Sequence, residues 1–133
     1  MQSRNGQRPL TRRPFDVSTR VADGTILLTV RGSAGPEEAA ALASCIDMAL
    51  VYAPGVLVVD VSRTDRFGRS CLDVLLRAGR RVTSTLAGTR LAVVCTDAAV
   101  LAAVAAEGAA FETYPAVAAA LTPPVMIDGA SVA

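Results

Sequence analysis

The sequence predicts a single α/β domain, a mixed sheet of four to five strands with helices packed on it, in the order β-β-α-β-α-β-α-(β)-α. Three observations predict it. A run alternating apolar and polar residues ends at Asp23-Gly24 and is followed by a second extended run, which is the pattern of a hairpin. Two apolar runs, "VLVVDV" (Val56–Val61) and "RLAVVC" (Arg90–Cys95), are almost unbroken, as strands covered on both faces are. Between and after them lie stretches with apolar residues at helical spacing. A chain of 133 residues with 52% hydrophobic content fits one domain with a real core. That core is built from Ala, Val and Leu, since Trp is absent and only five residues are aromatic.

Taken in order, residues 1–14 ("MQSRNGQRPLTRRP") carry four arginines, two prolines and no acid, the composition of a disordered basic arm. No aromatic residue accompanies the arginines for base stacking, so the arm reads as a solubilising tail before a nucleic-acid contact. "FDVSTRV" (Phe15–Val21) is the first half-buried strand and "TILLTV" (Thr25–Val30) the second. "RGSAGP" breaks the chain. Pro36 then opens a helix whose positive end is favoured by Glu37 and Glu38, and whose stripe Ala39, Leu42, Ala43, Ile46, Ala49 and Leu50 carries it to about Tyr52. Pro54-Gly55 stops it. Val56–Val61 is the central strand, and a helix follows with Leu72, Leu75, Leu76, Gly79 and Val82 on its inner face. After the strand Arg90–Cys95 comes a helix with Thr96 or Asp97 as its N-cap and Gly108 just past its end. "AFETY" is a short strand, Pro115 opens a last helix through Leu121, and residues 123–133 form a tail. The domain therefore spans 15–122.

Composition narrows the chemistry. Histidine is absent, which removes His-based general bases, Ser-His and Cys-His nucleophile pairs and most transition-metal sites. The expectation is a protein that is not an enzyme. Cys45, Cys71 and Cys95 are odd in number and lack CxxC spacing, as in a reduced, cytoplasmic protein without a disulfide framework or zinc site. Asp60, Asp65 and Asp73 fall on different elements, so no metal is expected. No GxGxxG or Walker A sequence is present, and no cofactor is expected. Net charge is +1, so no global field draws the chain to nucleic acid, and no apolar stretch is long enough to span a bilayer.

One stretch concentrates polar groups where a strand end meets a helix start, the place where open α/β sheets gather their sites. "RTDRFGRSCLDVLLRAGRR" (Arg63–Arg81) holds six arginines around Ser70. Ser70-Cys71-Leu72-Asp73 fits a capping box, with the hydroxyl accepting from a backbone amide of the first turn. The same position also suits a phosphate, which the helix N-terminus and the arginines Arg66 and Arg69 would stabilise. Both readings stand on the residues alone.

Taken whole, "VVDVSRTDRFGRSCLDVLL" resembles the hallmark segment of STAS domains, the bacterial anti-sigma factor antagonist family, in which a strand ending "LDLS" is followed by "FIDSSGLGVLL" opening a helix. Asp60 falls on the strand-end Asp and Ser62 on its Ser. The D-S-S-G phospho-site motif falls on Gly68, Arg69, Ser70 and Cys71, of which Ser70 alone is retained. The family's G-E-L-D turn falls on Gly32, Ser33, Ala34 and Gly35. "RLAVVCTDAAVLAAVAAEGAAFETYPAVAAAL" is similar to the family's closing strand, helix, strand and helix, so the likeness covers about residues 15–122.

The resemblance implies a STAS-type domain that works by binding an anti-sigma factor, an ATP-dependent serine kinase, and so frees a sigma factor for transcription. It implies Ser70 as the phospho-acceptor. The partner surface would comprise the loop Arg63–Arg69 with Arg66, Phe67, Gly68 and Arg69, the first helical turns with Ser70, Cys71 and Asp73, and the family positions Asp60 and Ser33. Two other readings remain: a STAS scaffold or partner-switching protein without phosphorylation, and a sensor of small anionic ligands or nucleotides.

Overall fold

The computed structural model describes residues 14–86 and 88–121. Apart from Pro14, the arm expected over 1–14 and the tail expected over 123–133 lie outside these residues. The chain begins with the hairpin of β1 (Asp16–Ala22) and β2 (Thr25–Ala34), paired antiparallel from Asp16↔Arg31 to Ala22↔Thr25. The two-residue turn has Asp23 at φ 50° and Gly24 at φ 77°. Positive φ at both positions suits the right-handed twist of the strands, and Asp and Gly are residues that tolerate it.

A 3₁₀ turn over Pro36–Glu38 leads into α1 (Ala39–Val51). Glu38 Oε1 accepts the Gly35 amide at 2.8 Å, fixing the entry to the helix. β3 (Val56–Phe67), α2 (Arg69–Thr85), β4 (Arg90–Val94), α3 (Ala98–Glu107), β5 (Glu112–Tyr114) and α4 (Val117–Leu121) complete the chain. The five strands form one sheet in the order β1-β2-β3-β4-β5, parallel from β2 onward. The element order is the expected one.

The alternation of β3 explains its unbroken apolar run. Leu57, Val59 and Val61 face a large core with Ile26, Leu28, Leu91 and Val93, closed by Leu42, Ile46 and Leu50 of α1 and by Leu72, Leu75 and Leu76 of α2. Val58 faces the other way, into a smaller cluster with Ala92, Val94 and Ala120 of α4. Arg90 binds the edge together. Its guanidinium donates to Glu112 Oε1 (3.3 Å), Tyr114 Oη (3.1 Å) and the Ala120 carbonyl (2.9 Å), joining β4, β5 and α4. Asp97 is the N-cap of α3, accepting from the Ala99 and Val100 amides, and Gly108 closes that helix in the left-handed conformation (φ 62°, ψ 48°), as the sequence predicts.

Two expectations need correction. β2 continues through "RGSA", where a break was expected, and β3 continues through Arg63–Phe67, where a loop was expected. The reason is mutual: each extension supplies the other's ladder partners, from Arg31↔Arg63 to Ala34↔Phe67. The register shifts twice, between Thr29 and Arg31 and between Gly32 and Ser33, with an extra β3 residue at each shift. Glycine at position 32 supplies the positive φ (84°) needed at this irregularity. Among the described residues, no helix is long and apolar enough to cross a membrane.

Candidate functional site

The extended ends of β2 and β3 carry the chain to the first turn of α2. Two side chains brace the bulged part of β3. Asp60 Oδ1 accepts from the Ser62 amide (2.9 Å) and the Ser62 hydroxyl (2.6 Å), and the Thr64 hydroxyl donates to the Val61 carbonyl (2.7 Å). Asp60 itself is only 3% exposed. It therefore stands beneath the site as a strut of the strand.

The start of α2 is fastened to the end of β2. The Gly68 amide donates to the Ala34 carbonyl at 2.9 Å, and the Cys71 thiol to the Gly35 carbonyl at 3.5 Å. Space is tight here: a Cβ on Gly68 would lie 3.3 Å from the Ala34 oxygen. The positions that resemble the family's two motifs thus meet in space. Ser33 pairs with Arg66 and Ala34 with Phe67, while Gly35 touches Cys71. Ser33 and Cys71 are buried, Phe67, Gly68 and Ser70 are half-buried, and Arg66 and Arg69 are exposed.

Ser70 is not the helix cap that the capping-box pattern suggests. Gly68 takes the N-cap position with extended backbone (φ −85°, ψ 173°), and no side chain caps the helix. Because β3 runs on to Phe67, α2 begins two residues earlier than the serine would place it. Ser70 becomes the second residue of the helix, and its hydroxyl has no hydrogen-bond partner among the described residues. By helix geometry the amides of Arg69, Ser70 and Cys71 have no acceptor within α2. Among the described residues, the result is a hydroxyl without a hydrogen-bond partner on a helix end that no side chain caps.

The two arginines flanking this turn differ. Arg69 is committed: its Nε donates to Asp73 Oδ1 and a terminal nitrogen to Glu107 Oε2, both at 2.9 Å. The hydrogen bond it donates to Glu107 and the field of Asp73 raise its pKa further. Arg66 has no ion pair among the described residues. Nothing in the sequence near Arg69 points to Glu107, which lies 38 residues on in another helix. Glu38 was missed likewise; it supplies a carboxylate three residues after Gly35, where the resembling turn has lost its acid.

Burial, with a smaller contribution from Glu38, pushes the Cys71 thiol up to about 11, and burial also raises Cys95. Neither is a ready thiolate nucleophile at neutral pH. No three His, Cys, Asp or Glu side chains among the described residues converge on a metal position. A recess of about 200 Å³ opens beside the bulge at the ends of β3 and β4, lined by Asp65 and Asp97 as well as Arg66. Two carboxylates against one guanidinium do not favour a small anion there.

By sequence the chain matches no protein-family model and no curated protein. By structure it is similar to an anti-sigma factor antagonist from Mycobacterium paratuberculosis, with 24% identity and a TM-score of 0.70 over 81% of this chain and 92% of that one. It is also similar to the protein TM1081, with 13% identity and a TM-score of 0.65 over 87% of this chain and 94% of that one. The fold is that of a STAS domain.

Proposed function

We propose that this protein is an anti-sigma factor antagonist, or an antagonist-like regulator, in the cytoplasm. It binds an anti-sigma factor that is an ATP-dependent serine kinase, and phosphorylation of Ser70 ends that binding and so controls sigma-factor-dependent transcription. The observation that carries the reading is the position of Ser70, a half-buried hydroxyl without a hydrogen-bond partner among the described residues, on an uncapped helix N-terminus in a STAS fold. A phosphate there adds about −1.5 to −2 charges at pH 7 to a surface of Arg66, Phe67 and Gly68. The free amides of α2 and Arg66 can hold it, and the new charge disfavours a partner that had packed on the neutral surface. The protein works by binding instead of catalysis, in keeping with its lack of histidine and its protonated buried thiols.

The nearest rival is a STAS scaffold that binds without a phosphorylation cycle. It is favoured by the anchored neighbours of Ser70, since Arg69 is held by two carboxylates and Cys71 is buried against Gly35. Incubation with each kinase-type anti-sigma factor of the same genome and ATP, followed by intact mass, separates the two. A gain of one phosphoryl group that is lost in Ser70→Ala supports the switch. Binding of a kinase with no such gain supports the scaffold, and neither binding nor modification by any of them rules out both.

A further inference from the structure

The helix α1 does not have the outer face of an ordinary surface helix. Leu42, Ile46, Ala49 and Leu50 are buried, and the solvent side, through Ala40, Ala41, Ser44, Met48 and Val51, carries a single charge, that of Asp47. Met48 is 67% and Val51 78% exposed. Asp47 is the one charged residue of this helix, and it is paired with Arg81 of α2. Contiguous exposed apolar surface marks an interaction site, and on this helix it is broken only by Ser44 and the paired Asp47.

Beside this face, between α1 and α2, runs a groove of about 430 Å³. Ala43, Ile46, Val74 and Ala78 supply its apolar part, and Arg77, Arg80 and Arg81 its cationic wall. Arg77 and Arg80 form no ion pair among the described residues. Three guanidiniums against the single carboxylate of Asp47 leave the groove at 3 − 1 = +2.

We propose that the outer face of α1 and the α1–α2 groove form a docking surface for an acidic amphipathic helix of a partner protein. Its apolar side would cover Val51 and the lip of the groove at Ala43, and its carboxylates would meet Arg77 and Arg80. Arginine suits that contact because its planar fork pairs with a carboxylate through two hydrogen bonds. Charge decides against a second copy of this chain as the occupant. A two-fold contact juxtaposes the same patch from each copy, and here that would bring two grooves of like charge together. The surface is separate from the Ser70 end of α2, since Arg77 lies about 10 Å further along the helix axis. The proposal does not rest on the switch reading.

The test uses the full chain and a synthetic helical peptide of about four turns, with leucines along one face and glutamates on either side. Titration by calorimetry and by amide chemical shifts is expected to show saturable binding, with shifts confined to α1 and the Arg77–Arg81 segment. Binding is expected to weaken at least about tenfold in the double variant Arg77→Glu/Arg80→Glu and to fall with added salt. Val51→Asp, an exposed change on α1 beside the groove, should weaken it independently, with circular dichroism confirming that both variants fold. Absence of saturable binding would overturn the proposal, as would equal binding of the same peptide with lysine for glutamate. A dimer in sedimentation that Val51→Asp dissociates would assign the face to a second copy and overturn it also.

Discussion

A hydroxyl at the second position of a helix is placed differently from one at its cap, and at Ser70 the difference is measurable. A capping serine accepts a backbone hydrogen bond, and its loss costs about 1 kcal/mol. Ser70 makes no such bond, and alanine is the better helix former. Ser70→Ala is therefore expected to leave stability unchanged or raised by up to about 0.5 kcal/mol in urea unfolding; a loss near 1 kcal/mol would restore the capping reading. Cys71 offers a second test at this scale. Its pKa rises from 9.0 to about 11 because the folded site is dry. The folded protein thus holds this proton more tightly than the unfolded chain does, so the contribution is complete below pH 9 and disappears as pH climbs towards 11. Its size is on the order of 2–3 kcal/mol. Unfolding free energies measured across that window should fall less steeply in Cys71→Ala than in the parent, and equal slopes would show that the thiol is not the group involved.

At the scale of elements, the sequence marked what periodicity and punctuation can mark. Strand alternation, the Asp23-Gly24 turn, the Asp97 cap and the Gly108 stop were all legible, because each is decided by residues close in the chain. The extension of β2 and β3 was not. "RGSA" and "RTDRF" are each poor strands by composition, and they are strands only because they pair with one another across a bulged register. That pairing also moved the start of α2 and displaced Ser70 from the cap. The ties from Arg69 to Glu107 and from Arg90 to α4 were equally hidden, being contacts between elements far apart in sequence. Arg90 yields a direct prediction. Arg90→Ala removes three hydrogen bonds and leaves the carbonyl of the fully buried Ala120 without that donor, so unfolding free energy should drop by about 1–2 kcal/mol. Arg90→Lys should recover only part of it, since one ammonium cannot reproduce the planar fork. Full recovery in lysine would mean that charge alone matters there.

For the whole molecule, the STAS architecture places two surfaces on the same pair of helices. One is the uncapped start of α2 with Ser70, Gly68 and Arg66; the other is the bare face of α1 with its cationic groove. The first was legible as a site because a strand end, a serine and a helix start stood together in the sequence. The second was not, since Arg77, Arg80 and Arg81 read as an ordinary polar helix face until α1 lies beside them without a charge to meet most of them. The regulatory reading depends on the first surface having two states, bare and phosphorylated. The most direct measurement is the affinity of the kinase-type anti-sigma factor for the unmodified protein, for Ser70→Ala and for Ser70→Glu under one set of buffer conditions. The switch reading predicts equal affinities for the first two and at least about tenfold weaker binding for Ser70→Glu, or about 1.4 kcal/mol. Equal affinity of all three proteins would contradict it.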